Sequence, residues 1–140
     1  MYFRSMNKFL IPMLLGALMP VMSVRADDTP LAEQMEVIDD AYKALRRTED
    51  AADGAKLARE AQAGVLKAIT MTPDFVAAGG HPGGKERAMA EYKKQMAQLF
   101  VVFCDVEAAF LENDMAKVQE LVKALKDSKK KGHDEFKEED

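Results

Sequence analysis

A chain of 140 residues is long enough for one domain around one core, and its 24 acidic against 20 basic side chains (net charge −4) exclude the basic footprint of a nucleic-acid binder. Arg4, Lys8 and Arg25 are the only charged residues before Asp27, so the remainder carries −7 and suits a basic partner surface better than an acidic one. Cys104 is the only cysteine, which rules out an intramolecular disulfide; its place in an apolar stripe reads as a small core residue.

The first element is a targeting segment. "MYFRSMNK" is basic, "FLIPMLLGALMPVMSV" is apolar, and Val24 and Ala26 occupy the small-residue positions that a signal peptidase reads. This predicts a secretory signal peptide over residues 1–26 and a domain over residues 27–140. The apolar run falls short of the ~20 residues of a spanning helix, and Pro12 and Pro20 interrupt it. No cysteine stands directly after the cleavage point to carry a lipid. The expectation is an exported, soluble protein with no stable membrane anchor.

Every later element reads as helix. Thr29 is placed to cap a first helix with Pro30 at its first position, and Leu31, Met35, Ile38, Tyr42 and Leu45 follow in steps of four and three along one face. "TEDAADG" breaks the pattern. A second helix is expected from about Ala55 to Met71, ended by Thr72-Pro73. "TPDFVAAGGHPGG" has the composition of a loop. The third helix carries the clearest stripe, Met89, Tyr92, Met96, Leu99, Phe103, Val106 and Phe110, and "ENDM" then makes a turn with Asp114 as N-cap of the last helix. On that last helix Val118, Leu121, Val122 and Leu125 form the apolar face, and lysines crowd the C-terminal half, opposing the helix dipole.

Four amphipathic helices with short connections predict an all-α fold, an antiparallel up-down-up-down four-helix bundle. In that topology the first helix begins, and the last one ends, at the same end of the bundle, and the long connection between the second and third helices lies there too. Met35 is in the second turn of the first helix. His133 is eleven positions beyond Val122, roughly 20° of rotation away, at the edge of the inward face. The topology therefore brings a thioether and an imidazole to one end of the bundle. Those are the two groups that hold low-spin haem iron in electron carriers, with both axial positions filled.

"LAEQMEVIDD", "LKDSKKKGH" and the helix spacing between them resemble the cytochrome b562 family of soluble periplasmic b-type cytochromes, over nearly all of the chain after residue 26. The resemblance implies one non-covalent haem b per chain, with Met35 and His133 as the iron ligands and one-electron transfer to redox partner proteins as the function. It suggests that Lys129 and Lys137, four residues either side of His133, meet the haem propionates. Near the start of the third helix, where relatives place aromatics against the haem, stand Tyr92 and Met96. Covalent attachment is excluded, because Lys129 and Gly132 occupy the two cysteine positions of a C-x-x-C-H motif. Gly132 weakens the helix beside the histidine or lets the macrocycle approach the backbone.

Other readings compete. His81 in "GGHPGG" is a rival ligand on a loop at the same end. An exported bundle without a cofactor, acting as a binding or chaperone-like module, would use the same apolar faces simply as core. A carboxylate-bridged di-metal bundle fits poorly, since Ala78 and Lys130 stand where Glu-x-x-His pairs need glutamate. G-x-S-x-G, H-E-x-x-H and phosphate-binding glycine motifs are missing, so the expectation is a monomeric carrier, not an enzyme.

Overall fold

Capping residues set the helix boundaries. The Thr29 hydroxyl accepts from the amide of Ala32 (3.1 Å), the Asp50 carboxylate from that of Asp53 (2.9 Å) and the Asp114 carboxylate from that of Lys117 (3.1 Å). Each satisfies an amide that helix geometry leaves without a partner. The computed structural model describes residues 29–136. Within them lie α1 (Pro30–Leu45), α2 (Ala51–Ala68), a four-residue α3 (Asp74–Ala77), α4 (Lys85–Leu111) and α5 (Met115–Phe136), with no strand. The predicted signal peptide falls outside the described residues, apart from which the fold is all-helical as expected.

Two boundaries differ from expectation. The second helix begins at Ala51, inside the predicted break, because Asp50 supplies a cap; it ends at Ala68, one turn short of Met71. Gly54 therefore stands within a helix and not in a turn. The proline- and glycine-rich connection also folds one short turn, α3, whose Val76 is buried. Between α4 and α5, Asn113 takes a left-handed conformation (φ 57°). The amides of Asn113 and Asp114 return to the carbonyls of Phe110 and Ala109 at 3.0 and 2.9 Å, so a Schellman turn closes the helix.

Small residues on α2 organise the packing. Gly54, Ala55, Ala58, Ala61, Gly64 and Ala68 are buried, and α2 packs against both α1 and α4. Side chains this short let neighbouring helix backbones approach closely, so larger partners fill the space above them. Phe110 lies over Gly54, and Ile38 and Val37 lie beside Gly64. The Gly54–Phe110, Arg59–Glu107, Gln62–Phe103 and Ala68–Tyr92 contacts pair rising positions on α2 with falling positions on α4, so these two helices run in opposite directions. Gln62 donates to Glu107 (2.7 Å) and to the Phe103 carbonyl (3.2 Å). That bond first, and Arg59 second, hold the Glu107 carboxyl below its ordinary range. Next along α4, Cys104 is only part-buried, not a core residue as its stripe suggested; burial first, then Glu107 and Asp105, push its thiol up.

The core contains the expected stripes: Ile38, Tyr42 and Leu45 from α1, Tyr92, Met96, Phe103, Val106 and Phe110 from α4, and Val118, Leu121 and Leu125 from α5. α4 packs against α5, but α5 and α1 scarcely meet. The α1–α2, α2–α4 and α4–α5 seams are closed and the α1–α5 seam is open. Gly54 gives the sharpest test of the closed side. A β-carbon there would overlap the fully buried Phe110 ring. Alanine's helix propensity favours the substitution by ~1 kcal/mol, yet overpacking a filled core typically costs about 1–3 kcal/mol. Gly54→Ala is therefore expected to lower the denaturant midpoint, and a midpoint equal to or above the parent's would contradict this packing.

A candidate ligand cleft between the first and last helices

The open seam is a cleft of about 750 Å³, within the range of small-molecule and cofactor sites. Its floor and walls are apolar: Leu31, Ile38 and Tyr42 from α1, Tyr92, Met96, Leu99 and Phe103 from α4, and Leu125 from α5. Pro73, from the connection between α2 and α4, lines it as well, so that connection lies at the cleft.

Met35 lines the α1 wall. Its neighbours farther along the stripe, Ile38, Tyr42 and Leu45, are buried, whereas Met35 is 41% exposed. Within the second turn of α1 the stripe leaves the packed core, and Met35 is the side chain presented there. Tyr92 and Met96 are buried beneath the cleft on α4. Tyr92 is fixed as well as buried: its hydroxyl donates to the Ala68 carbonyl at the end of α2 (2.7 Å), and burial pushes its pKa up to about 12. On the opposite wall stand Ser128, Lys129, Lys131 and Gly132. His133 follows Gly132 within α5; its side chain, like all of Lys137, lies outside the described residues.

The two lips of the cleft differ in charge. Glu36, Asp39 and Asp40, with Lys43 among them, line the α1 side, and Lys129 and Lys131 the α5 side. Lys129 forms an ion pair with Asp39 across the mouth, and its ammonium lies over the Tyr42 ring (5.6 Å to the centroid). Lys43 takes the other Asp39 oxygen at 2.7 Å. Hydrogen bonds from Lys129 first and Lys43 second hold the Asp39 carboxyl below its ordinary value.

His81 stands elsewhere. It lines a separate polar recess of about 410 Å³ that adjoins the cleft through Gln95, Gln98 and Lys131, which line both. Its Nδ1 donates to the Pro82 carbonyl (2.8 Å), its Nε2 is 3.3 Å from Glu91, and the Phe75 ring packs edge-on against it. Topology pointed to Met35, and the family resemblance added Tyr92, Met96 and Lys129; these four line one cleft. The structure adds Asp39 and Tyr42, one turn and two turns beyond Met35 on the same helix, which helical spacing could have supplied. Among the described residues no cluster of three or more His, Cys, Asp or Glu side chains could hold a bare metal ion.

A model of the cytochrome b562 family matches residues 30–137. The chain belongs to the cytochrome b562 family. No curated protein and no solved structure matches it. Membership makes haem the implied cofactor and electron transfer the implied role, and the residues of the cleft fit such a group. An apolar slot lies between two helices that scarcely touch, with a thioether on one wall and a glycine, the residue before His133, on the other. No described helix of this cytochrome is long and apolar enough to cross a membrane.

Because Asp39 titrates below its ordinary value of 3.8, the stability it gives is present above that value and is lost as pH falls through the depressed one. Asp39→Asn should lower the melting temperature slightly near pH 7, the effect of a part-exposed ion pair being small. The gap from the parent should close in thermal melts taken at about pH 2. An equal gap at both pH values would count against the ion pair.

Proposed function

We propose that this cytochrome is a periplasmic electron carrier that binds one haem b non-covalently in the cleft between α1 and α5, with Met35 and His133 as the residues that would hold its iron. The observation that carries the proposal is the open, apolar α1–α5 seam with Met35 on one wall and Gly132 on the other. When bound, haem supplies one-electron exchange at its iron. In this proposal the four long helices run up-down-up-down, which sets the start of α1 beside the end of α5. Signal-peptide cleavage after Ala26 delivers the chain to the periplasm, where it works as a monomer with redox partner proteins.

The chain's own residues have distinct tasks. The Met35 thioether, a soft donor, favours the reduced metal, and the His133 imidazole is the stronger nitrogen donor. With both residues holding the iron, no enzymatic reaction is proposed. Tyr92 and Met96 give the slot a firm floor, Tyr92 through its bond to Ala68. The apolar lining would limit water around a bound haem, one of the factors that set its reduction potential. Lys129 and Lys137 lie on the α5 side in the sequence. Lys129 is held by Asp39, so a ligand carboxylate would have to displace that partner.

The exported protein, or the bare chain titrated with haemin, is expected to show a sharp Soret band and split visible bands on reduction, with all haem removed by acid-acetone. Met35→Ala and His133→Ala should each give a high-spin spectrum or lose binding by roughly tenfold or more. A colourless protein that takes up no haemin would leave the cofactor-free module as the better reading. Loss of the low-spin spectrum on replacing His81 instead would overturn the ligand assignment.

A further inference from the structure

The α1–α5 cleft is apolar, yet the macrocycle proposed for it carries two ionised carboxylates. Those arms need cations or hydrogen-bond donors, because a carboxylate buried against apolar walls without partners is strongly disfavoured. The mouth between α1 and α5 is a poor place for them. Its α1 lip carries Glu36, Asp39 and Asp40 against a single lysine, Lys43, and Asp39 already holds both Lys43 and Lys129, the latter over the Tyr42 ring. Moving Lys129 to a new carboxylate would leave Asp39 with Lys43 alone beside an incoming anion.

The recess on the other side of α5 has the opposite character. It is lined by His81, Lys94 and Lys131 and by the amides of Gln95 and Gln98. Its one acidic residue, Glu91, has one oxygen 3.1 Å from Arg87 and the other 3.3 Å from His81, so its charge is already countered. The partition between cleft and recess is slight: a β-carbon on Gly132 would stand 3.6 Å from the Gln95 side-chain oxygen, and glycine supplies none. The loop is built to hold His81 at this place. Gly79, Gly83 and Gly84 take positive φ values of 78°, 94° and 89°, which suit glycine alone. The imidazole, with its side chain 15% exposed, is fixed by Pro82 and Phe75.

We infer that this recess, and not Lys129 at the α1–α5 mouth, receives the carboxylate arms of the bound macrocycle, with Lys94 and Lys131 as the residues that recognise them and His81 as the residue that, with Arg87, keeps Glu91 engaged. The inference rests on the proposed haem site and assigns "GGHPGG" a role in seating the ligand without touching its metal.

Paired dissociation constants for haemin and haemin dimethyl ester, which lacks the anionic arms, test it by Soret titration of the full domain. The parent protein should bind the free acid roughly tenfold more tightly than the ester, the size expected of charge-assisted hydrogen bonds. In Lys94→Met/Lys131→Met and in His81→Ala the two constants should converge to within roughly twofold while the ester's stays put. The neighbouring Lys130→Met, whose residue lines neither cavity, should keep the parent ratio. A damaged fold would weaken both ligands together and so is told apart by the ester. Equal binding of acid and ester by the parent would overturn the inference. So would an unchanged ratio in the recess variants, or a ratio that collapses in Lys129→Met or Lys130→Met instead. If the parent binds neither porphyrin, the haem site itself fails, and the inference with it.

Discussion

The small-residue face of α2 is the constraint on which the rest of the structure depends. With glycine and alanine at nearly every contact, α2 draws α1 to one side of itself and α4 to the other. Hydrophobic burial is thereby concentrated along those two seams and along α4–α5, where Phe103, Phe110 and Leu125 are fully or nearly fully covered. The α1–α5 seam receives no comparable layer of small residues. Large side chains on three helices face a gap they do not fill, and a slot results whose walls are set by the packing behind them. Rigid surroundings of this sort let a bound group be positioned without local rearrangement.

Polar contacts then give the slot its edges. Tyr92 ties the floor to the end of α2, and the Asp39–Lys129 pair bridges the mouth from α1 to α5. Beyond Gln95 and Gln98 the lining changes from apolar to polar within a single helix turn of α4. One end of the bundle therefore presents an apolar slot and a cationic recess side by side, a combination suited to a flat ligand with an apolar body and anionic arms.

Much of this was legible in the sequence because it depends on period. The stripe from Met89 to Phe110 fixes which face of α4 is buried, and Leu31 to Leu45 does the same for α1, so the residues of the slot follow from helical spacing. The second helix was misjudged because Gly54 reads as a breaker. Its tolerance within a helix depends on Phe110, a residue far along the chain, and on the Asp50 cap. The Asp39–Lys129 bridge was invisible for a related reason: the partners are 90 positions apart, and no local pattern encodes a cross-bundle ion pair. His81 could be placed near the site from topology, but that its ring is held by Pro82, Glu91 and Phe75 required the folded loop.

The central claim is that Met35 meets the face of a haem within the α1–α5 slot. Methionine methyl resonances, isotope-labelled and followed while haemin is added under reducing conditions, test it most directly, since porphyrin ring currents shift nuclei according to their position over the macrocycle. The account predicts a large upfield displacement of the Met35 methyl, a smaller change at Met96, and little at Met115, which is about 25 Å along α5 from Gly132. Haemin binding that leaves the Met35 resonance in place would contradict it.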